Sequence, residues 1–229
     1  MKFGIIGAMD EEIQFLKEIM TDKKETTIAN VLFVEGKIDG KDTVLLKSGI
    51  GKVNAAMATS ILMERFKPTL VINTGSAGGF SKDLNVGDVV VGEQVVHHDV
   101  DVTAFDYEYG QVPQMPPVFE ADQKLIAKTK EILKNLAINS EVGLIATGDS
   151  FMSDPERVQF VRKKFPKMLA AEMEGAAIAQ ICFQYDVPFV IIRALSDIAG
   201  VESSISFNEF LGLAARNAAN LITQIIKSS

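Results

Sequence analysis

The stretch MLAAEMEGAAIAQICFQYDVPFVIIRALSD, residues 168–197, changes its periodicity twice. MLAAEM reads as extended chain, EGAAIAQICFQYD as a helix opened by Gly175, and PFVIIRALSD as a strand apolar along most of its length. Strands of that kind, alternating with helices, indicate a parallel or mixed sheet buried on both faces. Two carboxylates, Glu172 and Glu174, stand in this run among Ala, Leu, Met, Ile, Cys and Phe. Buried carboxylates are costly unless something pairs with them or hydrogen-bonds to them. A strand ending near Met173 puts Glu174 at the strand-to-helix junction and Glu172 one pleat deeper.

The same rhythm extends outward in both directions. FGIIGA (3–8) is a buried strand leading into the amphipathic helix DEEIQFLKEIM, with Ile13, Leu16 and Ile19 on one face. NVLFVEGKIDGKDTVLLKSG (30–49) forms two extended runs about the hairpin signal Asp39-Gly40. GKVNAAMATSILMERF (51–66) is helical, and TLVINTG (69–75) is a strand that stops at the small-residue loop SAGGF. VGDVVVGEQVVHHDVDV (86–102) is strand-rich, VPQMPPVF (112–119) is a loop with three prolines, and EADQKLIAKTKEILKNL (120–136) is a helix. EVGLIATGDSF (141–151) is a strand ending in a polar loop, DPERVQFVRKKF is helical, and SFNEFLGLAARNAANLITQIIKS closes the chain as a helix. The expectation is a single α/β domain over residues 1–229, a central mixed sheet flanked by helices.

Bulk properties narrow the function classes. The 229 residues carry a formal charge of −7, with 47% hydrophobic and 23% charged residues. An acidic chain without a basic run is a poor nucleic-acid binder. Arginine is scarce, at Arg65, Arg157, Arg162, Arg193 and Arg216. The N-terminus turns acidic after nine residues, unlike a signal peptide, and no apolar run reaches the roughly 18 residues of a membrane span. The single cysteine, Cys182, lies in an apolar helical pattern and reads as a core residue. A cytoplasmic enzyme or binding protein is expected.

Ligands of open α/β sheets bind beyond the carboxyl ends of the strands. Those positions carry Asp10, Glu11 and Glu12; Ile50, Gly51 and Lys52; Ser76 to Gly79; Phe151 and Met152; Glu174; and Ser196 and Asp197, with Arg193 just inside. Each has an alternative reading. The acidic trio can cap a helix, Asp197 can serve as a cap or turn residue, and Ser76 to Gly79 can be a tight turn. Glu172 can be a structural carboxylate held by backbone or arginine. GIG at 49–51 lacks the third glycine of a dinucleotide fingerprint, and no GxxxxGK[ST] is present. His97 and His98, adjacent on a strand, face opposite sides, so no metal site and no cofactor is expected.

Five motifs together carry more than any one of them: AEMEGAAIA (171–179), RALSD (193–197), TGSAGG (74–79), GDSF (148–151) and GIIGAMDEE (4–12). In order and spacing, over essentially the entire chain, the sequence resembles the bacterial 5′-methylthioadenosine/S-adenosylhomocysteine nucleosidases of the purine nucleoside phosphorylase and nucleosidase superfamily. The resemblance implies hydrolysis of the N-glycosidic bond of these nucleosides, and of 5′-deoxyadenosine, without a cofactor. It implies Asp197 as general acid at adenine N7, Ser196 orienting it, and Glu12 as base for the attacking water. Glu174 and the Met173 backbone would bind the ribose hydroxyls, with Arg193 and Ser76 holding water and ribose and Gly78 touching substrate. Phe151 would stack on adenine and the Met152 backbone bond its edge. Ile50 and Phe207 would line the alkylthio pocket, completed by Val102, Phe105 and Pro113 of a partner subunit, so a homodimer is implied. The rival readings are a phosphorylase, which needs cationic side chains converging beside the ribose, and a non-catalytic nucleoside-binding module.

Overall fold

The computed structural model describes residues 1–200 and 203–229, giving the helical backbone alone for 203–211, 213 and 214. In chain order the elements are β1 (Lys2–Gly7), α1 (Asp10–Ile19), β2 (Thr21–Ile28), β3 (Val31–Ile38), β4 (Lys41–Lys47), α2 (Lys52–Phe66), β5 (Leu70–Gly79) and β6 (Val89–His97). A 3-10 turn (Thr103–Phe105) precedes β7 (Phe119–Glu120), α3 (Gln123–Asn135), β8 (Ser140–Thr147), α4 (Pro155–Lys164), β9 (Met168–Glu172), α5 (Gly175–Gln184), β10 (Phe189–Ile198) and α6 (Ser203–Lys227). All ten strands belong to one mixed sheet in the order β10-β6-β8-β9-β5-β1-β4-β3-β2, with β7 on β6. The expected mixed α/β architecture is therefore present.

An additional pairing of β10 with β5 closes one end of the sheet on itself, so β5, β10, β6, β8 and β9 form a ring. Closure removes the open edge that β10 would otherwise present. Apolar side chains fill both faces: Ile5, Ile72, Val90, Ile145 and Ile191 are all fully buried. Helix α6 packs on β10 and β5 beside α1 and α3, while α2 packs against α5.

Two local readings of the sequence are corrected. β5 does not stop at Gly75 but runs through Ser76–Gly79, because β10 pairs with it along the whole length, up to Ile198↔Gly79. The small residues there permit close approach of neighbouring chains, not a turn. Second, TDKKETTI forms β2, a strand for which no pattern had spoken. Its largely exposed, lysine-bearing edge lacks the alternation that betrays a half-buried strand. The Asp39-Gly40 hairpin is as expected, with φ of +49° and +76°, the left-handed values a tight two-residue turn requires.

The site is positioned by a fork. On one side of β5, β1 pairs with Leu70 to Asn73, and β9 pairs only with Gly78 and Gly79. Between them, Thr74 to Ala77 have no sheet neighbour on that side. Backbone donors in such a gap need other partners, and carboxylates supply them.

Candidate active site

Glu12 fills the gap. Its Oε1 accepts hydrogen bonds from the Ser76 N–H at 3.0 Å and the Ser76 hydroxyl at 3.3 Å. Its Oε2 accepts from the N–H groups of Ala8 at 2.7 Å and Met9 at 3.2 Å. The last bond is half of a capping box, since Glu12 occupies the third position of α1 and reaches back to the residue before the helix. The capping alternative thus describes this residue, which also borders the cavity described below. Burial raises the Glu12 carboxyl above its ordinary range, against the opposing pull of Arg193 and the three backbone donors.

Asp197 lies inside β10, not at a cap or turn, and is 2% exposed. A register shift between Leu195 and Asp197 in the pairing with β5 re-aims the strand there. The Ser196 hydroxyl donates to Asp197 Oδ1 at 2.8 Å. Burial raises the Asp197 carboxyl and the serine bond partly offsets it. Gly78 faces the other oxygen: a Cβ at that position would come within 3.2 Å of Asp197 Oδ2.

Glu172 and Glu174 part company. Glu172 ends β9 and accepts from Arg193 Nε at 3.2 Å, from Arg193 NH2 and the Thr147 hydroxyl in short contacts, and from the Glu174 and Gly175 N–H groups at 3.1 and 2.8 Å. It caps α5, satisfying donors the helix leaves open. Burial would raise this carboxyl, but the charge of Arg193 and the converging donors carry it below its ordinary value. Glu174 sits at the N-cap position of α5 and accepts from the Gly51 N–H at 2.9 Å. Its Oε2 stands 3.7 Å from Arg193 NH2. Burial, then the neighbouring Glu172 charge, push it up to about 8. Arg193 itself is 1% exposed and also donates to Asn73 Oδ1 at 2.6 Å.

These groups border one cavity of about 410 Å³. Glu12, Ser76, Gly78, Glu172, Met173, Glu174, Ser196 and Asp197 are among its lining residues, as are Ile50, Phe151 and Met152. No lysine or arginine is among the described lining residues. The rim loops are clasped together: Asp99 accepts from Lys52 Nζ at 2.6 Å and from the Asp149 N–H at 3.0 Å, and Asp149 accepts from the Lys52 N–H at 2.8 Å.

Of the expected site residues, Arg193 lies behind the wall, reaching the cavity through Glu172 and Glu174. Val102, Phe105 and Pro113 do not line this chain's cavity; Phe105 and Pro113 are exposed and Val102 is half-buried. The Phe207 side chain lies outside the described residues. His97 and His98 diverge, the first to Gln180 Oε1 at 3.1 Å and the second against Gly148. Sequence reasoning missed Asn73 and Thr147, the partners that fix Arg193 and Glu172. Their signal was present, as polar residues inside otherwise apolar strands that turn out fully buried.

The family model described as the phosphorylase superfamily matches residues 2–227. The 5′-methylthioadenosine/S-adenosylhomocysteine nucleosidase of Oceanobacillus iheyensis is 60% identical over 227 residues, covering 99% of each chain. That of a Geobacillus species is 61% identical over 229 residues, covering 100% of this chain and 99% of the relative. Among solved structures, the Neisseria meningitidis nucleosidase in complex with methylthio-immucillin-A superposes with a TM-score of 0.97 at 49% identity, covering 100% of this chain and 99% of the other. The Colwellia psychrerythraea enzyme in complex with adenine gives 0.95 at 51% identity, covering 99% and 94%. The chain, an N-glycosidic hydrolase by this kinship, belongs to the 5′-methylthioadenosine/S-adenosylhomocysteine nucleosidase family of the phosphorylase superfamily.

Proposed function

We propose that the protein hydrolyses the N-glycosidic bond of 5′-methylthioadenosine, S-adenosylhomocysteine and 5′-deoxyadenosine, with Asp197 as acid and Glu12 as base. The observation that carries this reading is that two buried carboxyls, both raised above their ordinary range, border one cavity with Glu174 beside them. In the reaction Asp197 gives its proton to adenine N7 as the C1′–N9 bond breaks and its electron pair passes to the purine. Burial, which raises Asp197, favours the protonated form that a general acid needs. The ribosyl ring gains oxocarbenium character, and water attacks C1′ while Glu12 takes its proton. A raised carboxylate is the stronger base once it is ionised.

Glu174 has a matching role. Held near 8 in the free site, it ionises more readily when ribose hydroxyls donate to it and positive charge builds on the ring. That interaction strengthens toward the transition state, which is the kind that accelerates chemistry. Phe151, together with the Met152 and Met173 backbone, would hold the purine and ribose, and Ile50 and Phe207 the thio substituent. The exposed 102–113 segment, with Val102, Phe105 and Pro113, would complete the site of a second copy in a homodimer.

Water is favoured over phosphate as the nucleophile because the described cavity wall offers an anion carboxylates rather than cations, and Arg193 is occupied by Glu172. The test is adenine release in phosphate-free buffer by the native chain, D197N and E12Q. Native activity with losses of roughly 10²- to 10⁴-fold in each variant, and substrate-analogue binding retained, is the expected result. Strict dependence on phosphate, or near-native turnover by either variant, overturns the corresponding assignment.

A further inference from the structure

Three buried carboxylates face a single guanidinium at the fork. Arg193 of β10 spends two of its nitrogens on Glu172 and one also on Asn73 of β5. Among the described residues its ion pairs reach Glu172 directly and Glu174 at 3.7 Å, and none is formed with Glu12. Glu172 is gripped from four directions: by Arg193, by the Thr147 hydroxyl of β8, and by the two N–H groups that open α5. Five donors converge on this carboxylate, more than a helix cap needs.

We propose that Glu172 is a positioning residue for hydrolysis: by engaging the Arg193 guanidinium it keeps that cation off Glu12 and no nearer than 3.7 Å to Glu174, so that neither carboxylate is locked in a close ion pair when water and ribose bind. Glu172 does not act on substrate chemically; it acts through Arg193 and its own charge. Removal of its negative charge stabilises the ionised forms of the remaining carboxylates, because both then feel more of Arg193 and Glu174 is also relieved of like-charge repulsion. Burial already raises Glu12 and Glu174, with the Glu172 charge adding to the second and the Arg193 charge opposing in both. His97 at the end of β6 and His98 just after it also feel Glu172, which favours their charged forms while burial lowers both; its absence moves both further in the direction burial sets. The inference rests on the proposed role of Glu12.

The experiment is the pH profile of kcat/KM for adenine release by the native protein, E172Q, E172D and E12Q, with folding followed by cooperative thermal melting. In E172Q the acid limb is expected to move down by roughly one pH unit. Maximal kcat should fall roughly ten-fold as the base weakens, with KM nearly unchanged. E172D, which restores the charge on a shorter arm, should return most of the rate and leave the limb between those of native and E172Q. An unmoved limb in a folded E172Q, or a loss confined to KM, overturns the inference and leaves Glu172 a structural cap. Should E172Q not melt cooperatively, E172D carries the decision, a smaller downward shift supporting the proposal and a native limb overturning it. Near-native turnover by E12Q removes the reading on which the inference stands, whereas an inactive E12Q with an unmoved E172Q limb defeats this inference alone.

Discussion

Glu12, Glu172, Glu174, Arg193 and Asp197 at the fork are each 7% exposed or less, whereas Ile50 and Phe151 at the rim, and Phe105 away from this chain's cavity, are 51%, 42% and 76% exposed. The inner group is locked by hydrogen bonds from the turn between β1 and α1, from β5, β8 and β10, and from the start of α5. The outer group presents apolar surface with little to cover it. Groups that meet developing charge gain from being fixed in advance, since reorganising dipoles during the reaction is what a preorganised site avoids. Apolar surface needs no such preparation; it contributes when water leaves it. On that division, inner substitutions should change rate and pH dependence, and outer ones should change KM and assembly.

Beyond Glu12 and Asp197, the largest effect is expected at Glu174. E174Q keeps the size and an acceptor for the Gly51 N–H but cannot ionise, so turnover should fall roughly 10²- to 10³-fold. Stability should move the opposite way. The folded carboxyl titrates near 8, against 4.5 for an ordinary glutamate. Its stabilising contribution is complete below the lower value, declines as pH rises between the two, and is gone above about 8. E174Q escapes this loss, so its unfolding free energy should match native near pH 4.5 and exceed it at alkaline pH, by an amount on the order of a few kcal/mol. Equal melting profiles across that range would show that Glu174 is ionised in the free fold and that the inner wall is less strained than drawn.

A smaller loss is expected at the close approach of β5 and β10. A Cβ on Gly78 would press on Asp197 Oδ2 at 3.2 Å, so G78A should displace the acid by a few tenths of an ångström and lower kcat roughly ten-fold, a sensitivity that positioning effects allow. Steady-state kinetics with unchanged melting would place the damage in the site. An unaffected kcat would mean that Asp197 tolerates movement and is not finely held.

At the boundary between the two regions stands the clasp of Lys52, Asp99 and Asp149. Asp99 is kept below its ordinary carboxylate range: burial opposes this, but the Lys52 ammonium and the Asp149 N–H prevail. D99N removes the charge while keeping an acceptor. The loops bearing Ile50 and Phe151 should then loosen, raising KM roughly three- to ten-fold with kcat within about two-fold of native. A fall in kcat without a change in KM would put the clasp on the inner side of the division.

The sequence made the fold class legible because apolar strands and amphipathic helices alternate cleanly, and the Asp39-Gly40 turn is local chemistry. It did not reveal ring closure, which depends on β5 pairing with β10 across more than a hundred residues. Nor did it reveal β2, whose edge position removes the need for a hydrophobic face. Among site residues, Glu12 and Asp197 were marked by strand-end position and family motif, but their environments were not. Glu172 was visible as an anomaly, a carboxylate in an apolar run, while its partners came from β8 and β10 and from the opening of its own following helix. Pairing of that kind is a tertiary fact, and no local pattern encodes it.

The mildest expected effect on the protomer itself lies at Phe105. At 76% exposure and away from this chain's cavity, its side chain stabilises little, and F105A should leave the unfolding free energy within about 0.5 kcal/mol of native. Under the homodimer reading, activity should nevertheless suffer, through the site of the other copy. KM for methylthioadenosine should rise several-fold, and a mixture with E12Q offers a sharper readout. A mixed dimer places an intact Glu12 and Asp197 in the F105A protomer, with Phe105 supplied by the E12Q partner. One fully furnished site per mixed dimer results, so subunit exchange should bring KM back toward native for that site although neither parent supplies it. If mixing leaves KM where F105A alone sets it, or if F105A alone behaves as native, the 102–113 segment does not complete a partner's site, and the outer region belongs to its own protomer as fully as the inner one does.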